Sequence, residues 1–204
     1  MTLQNRVQPT GDILAVPDRG TLMGNRGILH DDHQRLTARR WQHPHWVTCI
    51  TTYKDWHRKV MQPHNYTELF FLDEPTALAA GHRPCGLCRH KDYTRFKTLF
   101  NAANGTQTLD QIDRLMQRDR ITRSRIQVRY KAQAADLPDG TFVLHDATPH
   151  LLWETHALRY SPAGYTNALP RPTGAITVLT PASTVATLQQ GYQPAPHQTA
   201  YDFF

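Results

Sequence analysis

At 204 residues, with 39% apolar residues, 14 prolines and a formal net charge of +6, the chain has room for one domain, or one built as two lobes, around a modest core. No apolar run approaches the ~20 residues that cross a bilayer. The first residues lack a signal-type hydrophobic segment, and three cysteines are too few for a disulfide framework. These exclusions lead to the expectation of a cytoplasmic, loop-rich α+β protein in which short antiparallel strands and several helices are stapled by a metal.

Residues 1–30 read as extended, with Val7, Ile13 and Val16 separated by Pro9, Gly11 and Pro17. Gly27 to His30 is expected to be a short strand. Trp46 to Tyr53 is dense in β-branched and aromatic residues and predicts a strand, with Lys59 to Gln62 as a hairpin partner. Glu68 to Leu72 predicts another. Asp73 can cap a helix that has Pro75 in its first turn and stops at Gly81. Tyr93, Phe96, Leu99 and Phe100 mark an amphipathic helix over 90–103. Thr108 caps the next, whose apolar face is Leu109, Ile112, Leu115 and Met116. Ser124 to Tyr130 reads as a strand or as a continuation of that helix. Strands are expected at 141–145, 151–154, 157–160 and 176–179, then a helix over 183–190 ended by Gly191, and a tail from Pro194. The natural division is a lobe over 1–103 and a basic helix with a small β lobe over 104–204.

The chemistry concentrates in Cys85-Gly86-Leu87-Cys88. A redox pair of this spacing opens a helix after a strand. Here the pair follows a helix already closed by Gly81, in a turn, which favours a metal knuckle, with Arg83 and Arg89 placed to keep the thiols ionised. Cys49 supplies a third thiolate, and a closed tetrahedral zinc site needs a fourth ligand. His45 and Cys49 in one strand would lie ~13 Å apart, against the ~4 Å between ligands on one zinc implied by its bond lengths. The order of preference is therefore His30, His45, His90, His82, giving Cys49, Cys85, Cys88 and His30 as the expected Zn2+ ligands.

Residues 68–89, including Phe70-Phe71-Leu72-Asp73-Glu74-Pro75-Thr76-Ala77-Leu78-Ala79-Ala80-Gly81-His82-Arg83-Pro84-Cys85-Gly86-Leu87-Cys88-Arg89, resemble the zinc-binding domain of the bacterial DNA-alkylation repair protein Ada and small modules related to it. That resemblance covers about a tenth of the chain. It implies a structural zinc and a setting in DNA repair or modification. At the place of the family's first ligand pair stands His45-Trp46-Val47-Thr48-Cys49.

Positive charge gathers in Arg114, Arg118, Arg120, Arg123, Arg125 and Arg129, a cluster suited to phosphates and hence to nucleic acid, with DNA the expected partner. Trp41, Trp46, Trp56 and Trp153 are expected to pack in the core, unless one stands exposed beside the arginines, where it would stack on a base. Two other classes remain open. His30-Asp31-Asp32-His33, or His145-Asp146 with His150 and His156, would suit a metal-dependent hydrolase or nuclease. Zinc that only holds the fold would suit a regulatory or interaction module.

Overall fold

The computed structural model describes residues 2–54 and 59–204; Trp56 lies outside them. Among the described residues the α+β expectation holds, with two six-stranded sheets and four α-helices. The first sheet is mixed. It is built from β1 (Arg6–Val7), β2 (Ile13–Leu14), β3 (Leu22–Asn25), β4 (Val47–Ile50), β5 (Leu69–Phe71) and β6 (Arg83–Pro84), in the order β2-β1-β5-β3-β4-β6. The second is antiparallel. It contains β7 (Tyr130–Gln133), β8 (Phe142–His145), β9 (Thr148–Trp153), β10 (His156–Ser161), β11 (Gly164–Pro170) and β12 (Ala175–Val178), in the order β11-β10-β9-β8-β12-β7.

Helix α1 (Glu74–Ala79) is buried along its whole length. Its small residues let three groups of side chains close on it, and its Glu74 carboxylate is buried with hydrogen-bond partners of its own. Ala77 and Ala80 pack with Val7, Leu29, Leu69 and Phe71 beneath the first sheet. Ala79, with Leu72, meets Phe142, Leu151, Leu158 and Tyr165 of the second. Leu78 enters the layer formed by α2 (His90–Asn104), α3 (Leu109–Arg120) and α4 (Ala182–Gln189), against Phe96, Phe100, Ile112, Met116 and Leu188.

Two buried carboxylates at the start of α1 tie down the C-terminal tail. Asp73 accepts from the Thr76 backbone N–H and hydroxyl at 2.9 and 2.6 Å, as the predicted cap should. It also accepts from the Tyr165 hydroxyl at 2.6 Å and the His197 N–H at 2.9 Å. Glu74 accepts from Arg89 at 2.6 Å, the Tyr192 hydroxyl at 2.7 Å and the Ala195 N–H at 3.1 Å. Gly81 ends the turn at φ 82°, and a Cβ there would sit 2.4 Å from the Arg120 Cδ; both facts require glycine.

Four expectations change. The strand near the early glycines is Leu22–Asn25, not 27–30: Gly24 lets the backbones approach, since a Cβ there would lie 2.4 Å from the Val47 carbonyl oxygen. Residues 59–62 form no ladder; Met61 turns at φ 55° with its N–H on Glu68 at 2.7 Å. Of the segment 124–130, residues 124–129 are neither strand nor helix but a reversal closed by the Ile121–Gln127 bridge, with Arg125 at φ 65°, and only Tyr130 enters a strand, as the first residue of β7. Gly164–Pro170, unforeseen, pairs with β10 as the edge strand of the second sheet.

The Asp73 cluster makes a prediction about stability. Asp73→Ala leaves buried donors unpaired, at about 1–3 kcal/mol each, so unfolding is expected about 3 kcal/mol or more easier, lowering Tm by roughly 10 °C. A thermal melt unchanged within about 2 °C contradicts the tethering role.

Candidate metal centre

Strand pairing, not sequence proximity, assembles the cysteines. Strands β4 and β6 run parallel with Val47 opposite Arg83 and Thr48 opposite Pro84. One step further along that register, Cys49 meets Cys85. Backbone bonds lock the alignment: the Arg83 N–H donates to the Trp46 carbonyl at 3.1 Å and the Cys85 N–H to the Thr48 carbonyl at 2.8 Å. The chain then turns through Gly86 and Leu87 into α2, and the Arg89 N–H returns to the Cys85 carbonyl at 3.1 Å. Cys88 is thereby folded back onto the same spot.

The three sulfurs lie within 4.8 Å of one another, and all three cysteines are partly buried and free of disulfides. Three thiolates held that close can bind a metal ion. Ionisation is graded across the set. The thiol of Cys49, donating to Cys85, is the main reason the Cys85 pKa is pulled down to about 5, and the N–H groups of Cys88 and Leu87 add to it, the latter at 3.4 Å from the sulfur. Cys49 is pushed up, because its proton is shared with Cys85 and because it is buried; burial does the same for Cys88, against an N–H from Ile50. Without a cation one thiolate forms readily and its neighbours resist. A bound divalent ion removes that resistance, since it takes all three as thiolates.

The flanking cations have a different role from the expected one. Arg83 forms a two-point pair with Asp113 at 2.7 and 2.8 Å, nearly sealed from solvent. Arg89 is divided between Glu74 and Asp92 at 2.6 and 2.8 Å. Both positive charges are already matched by carboxylates, so the Cys85 thiolate takes its stabilisation first from the Cys49 thiol and then from backbone N–H groups. Asp113 was not singled out by sequence, where it looks like one more acid on an arginine-rich helix.

His30 does not join the cysteines. Its ring nitrogens contact the Thr67 hydroxyl at 2.6 Å and the Gln62 carbonyl at 3.1 Å, and it sits in a turn bridged to Leu36. The strand lying beside β4 is β3, which pairs Met23 with Cys49, so a ligand expected from 27–30 is carried past the site. The other histidines are engaged as well: His45 with Asp113 at 2.7 Å, His90 with the Gly86 carbonyl at 3.1 Å, and His82 with Arg26 at 3.3 Å. Among the described residues, Cys49, Cys85 and Cys88 form the one group of potential metal ligands. Asp31, expected as part of a His/Asp site, instead accepts from the His33 and Arg35 N–H groups, each at 2.9 Å, and pairs with the Arg35 side chain. His145 lies 3.6 Å from Asp146, and His150 contacts the Thr148 carbonyl.

The arginines divide into two populations. Arg114 and Arg118 are 76% and 75% exposed, beside Asp110 and Asp119. Arg123, Arg125 and Arg129 are exposed on the reversal after α3. Arg120, expected with them, is buried: it donates to the carbonyls of Gly81 and Pro44 at 2.8 and 2.6 Å and lies over the Trp46 ring.

Structural metal binding contributes on the order of 10 kcal/mol of folding free energy at pH 7. Cys49→Ser, Cys85→Ser and Cys88→Ser are each expected to abolish the thiolate-to-metal absorption of cobalt-loaded protein and to lower the melting temperature sharply, as chelation of the native protein does. A chelator-resistant, unshifted melt in all three contradicts a structural metal. Comparison with protein-family models, with curated proteins and with solved structures finds nothing that matches this chain, so what it does has to be read from these side chains.

Proposed function

We propose that this protein is a zinc-stabilised protein that contacts nucleic acid, with DNA in repair or modification as its setting. The single observation that carries the reading is the convergence of Cys49, on one strand, with the Cys85–Cys88 turn. Three soft sulfur donors of that kind suit zinc over the hard cations. The knuckle follows a helix and turn like that of Ada-type zinc domains, which supports the DNA setting. The nucleic-acid contact draws its support from Arg114, Arg118, Arg123, Arg125 and Arg129, all exposed along α3 and the reversal after it. Clustered guanidiniums release counterions together when they meet phosphates.

Binding to a short duplex is expected to weaken steeply between 50 and 200 mM salt. The double substitution Arg114→Ala and Arg118→Ala is expected to reduce the slope of log affinity against log salt by about two. A duplex affinity that is flat in salt, or a double variant with the native slope, contradicts this reading. Duplex titrations by fluorescence anisotropy measure both.

A further inference from the structure

A second feature lies around Trp46, at the head of the strand that carries Cys49. A cavity of about 380 Å³, within the range of small-molecule sites, is bounded by Arg26, Arg40, Trp46, Arg120, Arg125 and Arg129, with Asp12 on its wall. Arg26 is 2% exposed and Arg120 3%. Both guanidiniums lie over the Trp46 ring, with Cζ at 4.1 and 3.8 Å from its centroid. Among the described residues neither is paired with a carboxylate. Arg120 is held by carbonyls and by the side-chain oxygen of Gln117. Arg26 donates through Nε to His82 at 3.3 Å, while its buried Nη2 has no partner among the described residues.

This arrangement contrasts with the rest of the molecule. Arg83 and Arg89, equally buried, each hold carboxylates. Burying an arginine without a counter-charge is costly, and an orphaned guanidinium N–H adds to that cost. Burial, and next the charge of Arg40, pull the Arg26 pKa down to about 9, with Asp12 opposing them. His82 is kept neutral first by burial and then by Arg26 and Arg120, so it accepts from Arg26 without adding charge. The cavity therefore has five arginines and one aspartate around it, and Arg26 keeps a buried Nη2 with no partner among the described residues. A planar guanidinium with a free donor edge is suited to a phosphate.

We propose that this cavity is a binding site for a phosphate group carried by a nucleotide-sized ligand, with Arg26 and Arg120 as its buried anchors and Arg40, Arg125 and Arg129 at its mouth. The phosphate can belong to a free nucleotide or to the 5′ end of a nucleic-acid strand; the chemistry of recognition is the same. The site goes beyond the salt-dependent contact along α3, because its anchors are enclosed and its ligand must enter a cavity.

Calorimetric titration of the full-length, metal-loaded protein separates the alternatives. The probes are thymidine 5′-monophosphate, thymidine, and one short oligonucleotide with and without a 5′-phosphate. At least one phosphorylated probe is expected to bind at least 30-fold more tightly than its unphosphorylated counterpart. Thymidine 5′-monophosphate alone doing so identifies a free nucleotide, and the 5′-phosphorylated strand alone identifies a strand end. Arg26→Met is expected to weaken that binding at least tenfold while the ligand-free melting temperature stays level or rises, since it removes an unpaired buried charge. A purely structural arginine gives the reverse, a lower melt with affinity retained. Arg125→Gln, at the exposed mouth, is expected to cost at least threefold, and it keeps the test open if Arg26→Met does not fold. Equal binding of phosphorylated and unphosphorylated probes, no binding of any, or native affinity in whichever of these variants folds overturns the proposal. Duplex binding that is flat in salt, in a protein that still takes a phosphorylated probe, ends the α3 reading without touching this one.

Discussion

The parallel pairing of β4 with β6 is the constraint from which the rest of the structure follows. It aligns Thr48 with Pro84, and that register carries Cys49 to Cys85 while placing Trp46 at the head of its strand, beside the two unpaired guanidiniums. A one-residue slip would move every side chain of β4 to the opposite face. The cysteines would then part, and Trp46 would leave the arginines. The cysteine trio and the Trp46 wall of the basic cavity are thus positioned by the same few backbone hydrogen bonds.

Around that pairing the protein treats buried charge in two ways. Arg83 with Asp113, and Arg89 with Glu74 and Asp92, are closed ion pairs that brace the knuckle and α1. Removing one partner of such a pair leaves a charge stranded, which is far more damaging than never having had the pair. Arg26 and Arg120 have been left open instead, supported by a tryptophan ring, carbonyls and a neutral histidine. The closed pairs hold the scaffold. The open ones mark where something negative belongs.

Local structure was legible where local rules decide it. The Asp73 cap, Pro75 in the first turn, the Gly81 stop and the Thr108 cap could all be read from short-range chemistry, as could the helices around Phe96 and Ile112. The Cys85–Cys88 pair was legible because soft donors in a turn have few other uses, and Cys49 because two thiolates alone do not fill a tetrahedral site. The fourth-ligand expectation failed at His30 because it rested on which strand lies beside β4, a tertiary fact that 27–30 and Leu22–Asn25 could each have satisfied. Close approach at Gly24, visible only once Val47 is in place, decided between them. Arg120 misled for a related reason: its helix face looks basic in sequence, yet the residue ends α3 with its guanidinium buried over the Trp46 ring. Arg26 gave no local signal, since its isolation comes from what surrounds it in space.

The most direct test of a metal-pinned fold is elemental analysis of protein purified without added metal, set against the number of thiols that react under native conditions. One zinc per chain, with all three thiols unreactive until the ion is removed, is the predicted result. A folded, metal-free chain whose three cysteines modify freely would contradict it.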